Sequence, residues 1–361
     1  MSQTWTWPLT VPIIPPALRQ TYRLSITPLK RVLVLTRDPE LPSFRYRISP
    51  LIEQLEHRGA EVQVKQFKSR RYFLRLMNIK RAVKEADVVL VQKLKLLPFE
   101  SKLLASLNPN VVFDLDDAIY VKQPKQAGDT VAPDRGRLSK FAGLAKAARF
   151  VSVGNGELAS KVREAGGTAD FYPTGIDVAS YKPVPTSQKS GFTAIWIGLP
   201  ANIRYLEMIR PALAKIAKKH PKFRLIIMSS EWPEWDDVPV EGRKWSSEAE
   251  KSVLPLADIG IMPLSDDLFS RGKCAFKLLQ YMAAGLPCIA SPVGANCDVI
   301  EPGVNGFLAS DTDGWVDSFD QILGNQDLQQ AFATAGRSKV ESHYDLDTIA
   351  KRYAEKLYTL N

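Results

Sequence analysis

Residues 258–294, with the sequence DIGIMPLSDDLFSRGKCAFKLLQYMAAGLPCIASPVG, contain two short apolar runs on either side of a helical pattern. The run DIGIMPL leads into a polar loop, the helical stretch CAFKLLQYMAAG ends on Gly285, and LPCIASP follows as a second apolar run. Glycine commonly follows the last turn of a helix, and short apolar runs joined through a helix are typical of parallel β-strands. The stretch therefore predicts a strand–helix–strand unit of an α/β fold.

The same alternation extends through the rest of the chain. Further apolar runs that predict strands are RVLVLT, EVQVKQF, ADVVLVQ, NVVFDLDD, ARFVSVG, ADFYPTG, GFTAIWIG and FRLIIMSS. Helical patterns such as ISPLIEQLEHRG, FESKLLASL, RLSKFAGLAKAA and NIRYLEMIRPALAKIAKKH lie between them. We therefore predict two doubly wound, Rossmann-like α/β domains that face a central cleft, where the carboxyl ends of the strands place ligands.

The stretch TGIDVASYKPVPTSQKSG (174–191) is rich in turn formers and lacks periodicity, so it predicts a domain boundary near residues 182–190. We predict an N-terminal extension at 1–28, a first Rossmann-like domain at 29–184 that binds the acceptor, and a second at 185–340. Residues 341–361 are expected to form a helix that packs back on the first domain. The proline-rich extension has neither the basic start nor the long apolar centre of a signal peptide.

Composition favours a globular protein of the cytoplasm. The 361 residues are 45% hydrophobic and 24% charged, and no apolar run reaches the roughly 18 residues needed to span a bilayer. Three cysteines without metal-ligand spacing suit a reducing compartment. We expect a cytoplasmic location, with the inner face of the membrane as an option.

The net charge of +9 is concentrated between Lys65 and Lys84, where eight basic residues and no acidic residue occur. If Arg70–Lys84 forms one helix, a stripe of apolar residues faces the core, and these residues are Tyr72, Leu76, Ile79 and Val83. Phe73 and Met77 then lie among the cations, a combination that suits an anionic membrane surface or a lipid-linked acceptor. The alternative is a solvated basic face. Because no nucleic-acid-binding module accompanies the charge, we expect no nucleic-acid partner.

Two segments, KLLQYMAAGLPCIASPVG (277–294) and PGVNGFL (302–308), resemble the signature of retaining GT-B glycosyltransferases of group 1, or family 4-like. The resemblance is strong over about 60 residues and extends to DLDDAIY (114–120) in the first half. It implies hexosyl transfer from a nucleotide sugar to a glycan or lipid-linked acceptor in polysaccharide or glycolipid biosynthesis. It also implies that no metal or other cofactor is needed.

A leaving diphosphate gains negative charge, so its site needs cations and helix-start amides. We predict Arg271, Lys273 and Lys277 as the catalytic cations. Lys273 and Lys277 are four residues apart, and on one helix face they would repel each other unless an anion lay between them. Gly272 would let the backbone approach the ligand closely, while Gly294 is either part of the site or a tight turn.

The second part of the donor site is expected in the loop after GFTAIWIG. Gly198, Asn202 and Arg204 could hold phosphate at a helix start, although relatives often carry arginine where Leu199 stands. Trp245, in EGRKWSS, could stack on the nucleotide base or be part of the core.

One departure concerns two glutamates that seven intervening residues separate in many relatives, and whose aligned positions here are Gly272 and Gln280. Gln280 could bind a ribose hydroxyl or be a structural amide. The departure leaves open a nucleotide-sugar-binding protein without turnover.

On the first domain, acceptor-binding candidates follow the predicted strands: Ser43, Arg45, Asp116, Asp117 and Asn155. Arg47 is a further candidate, but paired surface arginines are the alternative. Asp114 is expected to be a buried cap, and Asn155 could instead cap a helix.

None of the three histidines lies at a strand end, so no histidine base is evident. An inverting enzyme needs such a base, whereas a retaining one can pass the proton to the departing phosphate. We therefore predict front-face transfer with retention, with a nucleotide-sugar epimerase as an alternative class.

Overall fold

The structure is a computed structural model that describes residues 30–67, 72–183 and 191–360. The predicted extension at 1–28 lies outside the described residues. The rest consists of two α/β units, each built on a six-stranded parallel sheet, so the predicted pair of doubly wound domains is confirmed.

The first sheet forms from the six apolar runs of the N-terminal half. Its strands are β1 (Arg31–Thr36), β2 (Glu61–Gln66), β3 (Val88–Gln92), β4 (Val111–Leu115), β5 (Phe150–Val153) and β6 (Ala169–Phe171). They lie in the order β2-β1-β3-β4-β5-β6 and pair in parallel throughout. Strands β3, β4 and β5 are wholly buried, as expected for a sheet covered on both faces.

The helices described in the first half of the chain are α1 (Ser49–Glu56), α2 (Tyr72–Asn78), α3 (Lys80–Glu85), α4 (Pro98–Leu107), α5 (Arg135–Ala147) and α6 (Gly156–Glu164). The single helix predicted for Arg70–Lys84 is wrong, because the chain leaves helical geometry at Ile79, with φ −108° and ψ 9°. Leu76 and Val83 are nevertheless buried and Ile79 packs on the same core, as the stripe predicted. Arg70 and the side chain of Tyr72 lie outside the described residues.

The second sheet has the strands β7 (Phe192–Ile197), β8 (Phe223–Ser229), β9 (Val240–Lys244), β10 (Ile259–Met262), β11 (Cys288–Ala290) and β12 (Gly306–Leu308). Their order is β12-β11-β10-β7-β8-β9, again all parallel. Strands β9 and β12 were not predicted, since β9 is at an edge and charged and β12 spans only three residues.

The helices of the second unit are α7 (Arg204–Lys219), α8 (Ser247–Val253), α9 (Leu268–Arg271), α10 (Phe276–Ala283), α11 (Asn296–Val299), α12 (Thr312–Leu323), α13 (Gln326–His343) and α14 (Leu346–Tyr358). Helix α14 returns to the first domain, where Tyr353 stacks on Tyr172 with ring centroids 4.4 Å apart. Its Asp347 accepts a 2.7 Å hydrogen bond from Gln54 of α1. The last helix therefore ties the two domains together.

Candidate functional site

The loops after β4 and β5 of the first domain meet the loop after β10 of the second, so the carboxyl ends of the two sheets face each other. Asn155 Nδ2 donates to the backbone oxygens of Arg271 (3.2 Å) and Lys273 (2.8 Å). Cys274 Sγ donates to the backbone oxygen of Asp116 at 3.3 Å. These bonds fix residues 271–274 on the floor of the cleft between the domains.

Asn155 is therefore not free to bind an acceptor. It is buried, and its side-chain oxygen caps α6 by accepting from the amide of Leu158 at 2.8 Å. The structure thus supports the alternative in which Asn155 caps a helix. At the cleft, the side chain of Asn155 positions the backbone of the loop from Arg271 to Cys274, which carries Arg271 and Lys273.

Gly272 also contacts the first domain and not an open site. A Cβ at this position would lie 2.6 Å from the Cβ of Ala118 and 2.9 Å from its backbone nitrogen. The close approach predicted for Gly272 is thus to the protein's own backbone. Gly294 has the left-handed φ of +55°, and a Cβ at this position would lie 2.6 Å from the carbonyl oxygen of Arg271. Gly294 therefore forms a tight turn, which is the second of the two alternatives predicted for it.

Lys273 and Lys277 do not share a helix face, contrary to the prediction. Ala275 has the left-handed φ of 53°, and α10 begins only at Phe276. Lys273 therefore lies in the connection between α9 and α10, and Lys277 lies in the first turn of α10. A left-handed alanine costs free energy, and such strain is concentrated at functional sites.

The two lysines nevertheless share an environment without a close counter-ion. Lys273 Nζ lies 4.6 Å from the ring centroid of Phe269, and Lys277 Nζ lies 5.7 Å from that of Trp196. Both side chains are partly buried, and within residues 30–67, 72–183 and 191–360 neither forms an ion pair. Burial and the neighbouring charge of Lys273 lower the pKa of Lys277 to about 7.

The pKa of Lys273 is lowered for similar reasons. Burial lowers its pKa, Asp117 opposes that shift, and the positive charges of Arg204 and Lys93 lower the pKa further. Cations that depress one another's protonation in this way would be stabilised by an anion placed among them. Lys273 and Lys277 therefore lie where an anion would be favoured electrostatically.

Arg204 is the third cation of this group, and it is placed by the first turn of α7. Its guanidinium lies 4.5 Å from the ring centroid of Tyr205, and Nη2 donates to the hydroxyl of that tyrosine at 2.9 Å. The Tyr205 hydroxyl is in turn 2.9 Å from Ser270 Oγ, directly before the cationic loop. Asn202 belongs to the preceding 3₁₀ turn, where its amide donates to the backbone oxygen of Leu199 at 2.8 Å.

Arg271 differs from the lysines because its charge is already matched. Asp266 accepts hydrogen bonds from its Nε at 2.6 Å and from its Nη2 at 3.0 Å. This pair raises the pKa of Arg271 and lowers that of Asp266. Arg271 is therefore a weaker candidate for stabilising an anion than Lys273 or Lys277.

Glu250, which was not predicted from the sequence, organises a buried hydrogen-bond network that includes Gln280 of α10. It is buried, and it accepts hydrogen bonds from the Tyr181 hydroxyl (2.8 Å), from Trp245 Nε1 (2.8 Å) and from Gln280 Nε2. Gln280 is buried and used within this network, so the structural-amide alternative replaces the ribose contact.

Trp245 remains partly exposed although its indole nitrogen is fixed. The residue is 39% exposed, and the guanidinium of Arg45 from the first domain lies 5.1 Å from its ring centroid. Next to Arg45, the ring of Tyr46 lies 4.2 Å from that of Phe276. Both contacts come from the π-helical turn Phe44–Ile48, which brings the first domain across the cleft. Ser43 precedes this turn and caps nothing.

The aspartates after β4 are paired locally. Lys93 Nζ lies 2.9 Å from Asp116 and 3.7 Å from Asp117, and Lys93 itself has the left-handed φ of 48°. Asp114 is buried as predicted, but it pairs with Arg47 at 2.7 Å instead of capping a helix. Arg47 is thereby excluded from acceptor binding.

Gly198, at the end of β7, makes room for the ring of Trp196. A Cβ there would lie 2.4 Å from that ring, which is the same ring that Lys277 faces. The glycine thus leaves room for the ring that packs against Lys277.

Comparison with known families covers the domain that carries this loop. Residues 191–325 match the family model for glycosyl transferases group 1. The match covers the second α/β unit as far as helix α12. A curated relative, the N-acetyl-alpha-D-glucosaminyl L-malate synthase of Bacillus anthracis, is 34% identical over 83 residues. That match spans 22% of the chain and 22% of the relative's length.

Solved structures extend the likeness to both domains. Sucrose-phosphate synthase from Thermosynechococcus elongatus matches with a TM-score of 0.70 and 15% identity, over 92% of this chain and 99% of that one. Anabaena HepE, solved with UDP and glucose, matches with a TM-score of 0.69 and 15% identity, over 91% and 100% of the two chains. The described chain therefore has the GT-B fold.

Proposed function

We propose that the protein is a group 1 glycosyltransferase that transfers a hexosyl group from a nucleotide sugar to a glycan or lipid-linked acceptor, with retention of the anomeric configuration. The observation that carries the proposal is a pair of partly buried lysines on the cleft floor, Lys273 and Lys277, for which the described residues supply no ion-pair partner. Neighbours solved with UDP and sugars support a nucleoside diphosphate as the anion.

In this proposal the diphosphate lies among Lys273, Lys277 and Arg204. When the bond between the anomeric carbon and the phosphate oxygen breaks, that oxygen gains negative charge, which the cations stabilise more strongly than in the ground state. The anion would also raise the pKa of Lys277 and so favour the charged form. Arg271, held by Asp266, contributes less than the sequence led us to expect.

Retention follows if the departing phosphate oxygen takes the proton of the acceptor hydroxyl. The acceptor oxygen then bonds to the anomeric carbon on the face that the phosphate leaves, so no protein base is required. Arg45 and Ser43 on the first domain, with Asp116 and Asp117 behind Lys93, are the acceptor-side groups in this arrangement. On the donor side, the exposed face of Trp245 is the stacking surface for the base.

The experiment that tests the proposal is a thermal-shift panel of nucleotide sugars, followed by a turnover assay with the donor that stabilises the protein. A ligand that binds only the folded state raises the melting temperature, so one donor should stand out and should then be consumed. Tight binding without release of nucleoside diphosphate, with or without acceptors, would support the binding protein without turnover. No stabilisation by any nucleotide sugar would refute the donor site.

A further inference from the structure

An exposed apolar surface lies on helices α2 and α4 of the first domain. It is formed by five residues that are 39–54% exposed, and these are Phe73, Leu74, Met77, Leu97 and Phe99. We call them the α2–α4 platform. Contiguous exposed apolar side chains of this size mark interaction sites more often than scattered single ones.

The platform is one surface although its residues come from two helices. Helix α2 packs on α4, and the rings of Phe73 and Phe99 lie with centroids 5.9 Å apart. On the opposite side of α2, Leu76 is fully buried in the core. The helix therefore has an apolar face in the core and a second apolar face that nothing in the described chain covers.

The surroundings of the platform are positively charged. Lys80 and Lys84 on α3 and Lys102 on α4 are exposed. The acidic residues of α2, α3 and α4 do not offset this charge, since Glu85 pairs with Arg81 at 2.7 Å and Glu100 is buried, where it accepts from the amide of Leu97 at 2.6 Å. Apolar side chains surrounded by free cations complement the interface of an anionic bilayer.

Part of the platform lies at the edge of the first domain that faces the cleft. Helices α2 and α4 begin after the carboxyl ends of β2 and β3, so their first turns, with Phe73, Leu74 and Phe99, lie at the edge of the sheet that faces the cleft. The connection from β3 to α4 also carries Lys95, whose pKa is lowered by burial and by the charges of Arg137 and Arg37. Cations therefore line the same edge.

We propose that the α2–α4 platform docks the first domain on an anionic lipid bilayer and thereby brings the cleft to an acceptor that is carried by the membrane. Docking requires no turnover, whereas the membrane-borne acceptor rests on the proposed function. The sequence predicts membrane contact through the basic segment Arg70–Lys84. The platform combines α2 of that segment with α4.

Vesicle co-sedimentation tests the docking with the full chain. We expect the wild-type protein to bind vesicles of phosphatidylcholine and phosphatidylglycerol and to remain in solution with phosphatidylcholine alone. The variant Leu74→Ser/Phe99→Ser should partition into the anionic vesicles at least about tenfold more weakly, because two half-exposed apolar side chains are lost. Its matched control is Leu256→Ser, which changes a leucine of the second domain that is 40% exposed. This variant should bind the vesicles as the wild-type protein does.

The charge is tested by Lys80→Glu/Lys84→Glu, which should weaken binding by about tenfold or more. Lys218→Glu/Lys222→Glu, another exposed pair four residues apart on the second domain, is the control and should change binding by less than about twofold. Thermal shift by nucleotide sugars should be the same in all four variants, so a failure of docking is distinguished from a failure of the donor site.

Three results would overturn the proposal. The first is equal binding of the wild-type protein to neutral and anionic vesicles. The second is binding of Leu74→Ser/Phe99→Ser to anionic vesicles as strong as that of the wild-type protein. The third is that the wild-type protein is a dimer and this variant is a monomer with unchanged vesicle binding. That third result would make the surface an interface between two copies of the chain.

Discussion

Replacing Lys277 with methionine is expected to stabilise the empty protein. The pKa of Lys277 is lowered from 10.5 to about 7, and at 1.36 kcal/mol per pKa unit the charged form in the empty site costs at most about 5 kcal/mol. Methionine has a similar length and no charge. Because the side chain is only partly buried and solvent screens part of this cost, we expect Lys277→Met to raise the free energy of unfolding by about 2 kcal/mol near neutral pH.

The pH dependence of this difference identifies its cause. The folded-state pKa lies below the unfolded-state value, so unfolding takes up a proton between about pH 7 and 10.5, and stability rises with pH in that window. Below about pH 7 both states hold the proton and the full cost remains. The advantage of Lys277→Met should therefore be largest at or below about pH 7 and should shrink as the pH rises toward 10.

Urea unfolding followed by tryptophan fluorescence at about pH 6.5, 8 and 9.5 measures this difference. Lys218→Met, which removes an exposed lysine, is the control and should leave stability unchanged within about 0.5 kcal/mol. A variant that is less stable than wild type, or a stability difference that does not vary with pH, would refute the reasoning about Lys277.

Three further changes test other parts of the site. Asp114→Asn leaves the buried Arg47 uncompensated and should lower the free energy of unfolding by about 3 to 5 kcal/mol; a urea-unfolding loss below about 1 kcal/mol would contradict this role. Gly272→Ala places a Cβ 2.6 Å from the first domain, so we expect it to cost about 1 to 3 kcal/mol of stability and to slow turnover, and unchanged melting and rate would argue against the contact. Arg271→Gln should reduce turnover less than about tenfold because Asp266 already neutralises the arginine, whereas loss of a leaving-group stabiliser costs about 100-fold or more; a loss of the latter size would return Arg271 to the anion site.

The strands and the two-domain architecture could be predicted because short apolar runs in a parallel sheet leave a local signal. Strand β9 lacked it, since its residues VEGRK are charged and only partly buried. The break at Ile79 could not be predicted either, because Lys80–Glu85 and Tyr72–Asn78 are each good helix formers.

The candidate site was predictable in its residue types and not in its contacts. The cations and their loop were found from the sequence, but the left-handed Ala275 has no local signal, and it removes Lys273 from the helix. The network of Glu250 depends on partners 69 and 30 residues away in the chain, Tyr181 and Gln280. Such contacts arise only when the domains fold, so the ribose role of Gln280 could not be rejected from the sequence.

In the proposed function, Lys273 and Lys277 stabilise a departing nucleoside diphosphate. The most direct test of this role is the rate at which nucleoside diphosphate is released from the stabilising nucleotide sugar, measured for the wild-type protein and for Lys273→Gln/Lys277→Gln at matched folded fraction. We predict measurable release by the wild type and a decrease of about 100-fold or more in the variant. Equal rates in the two proteins would contradict the claim.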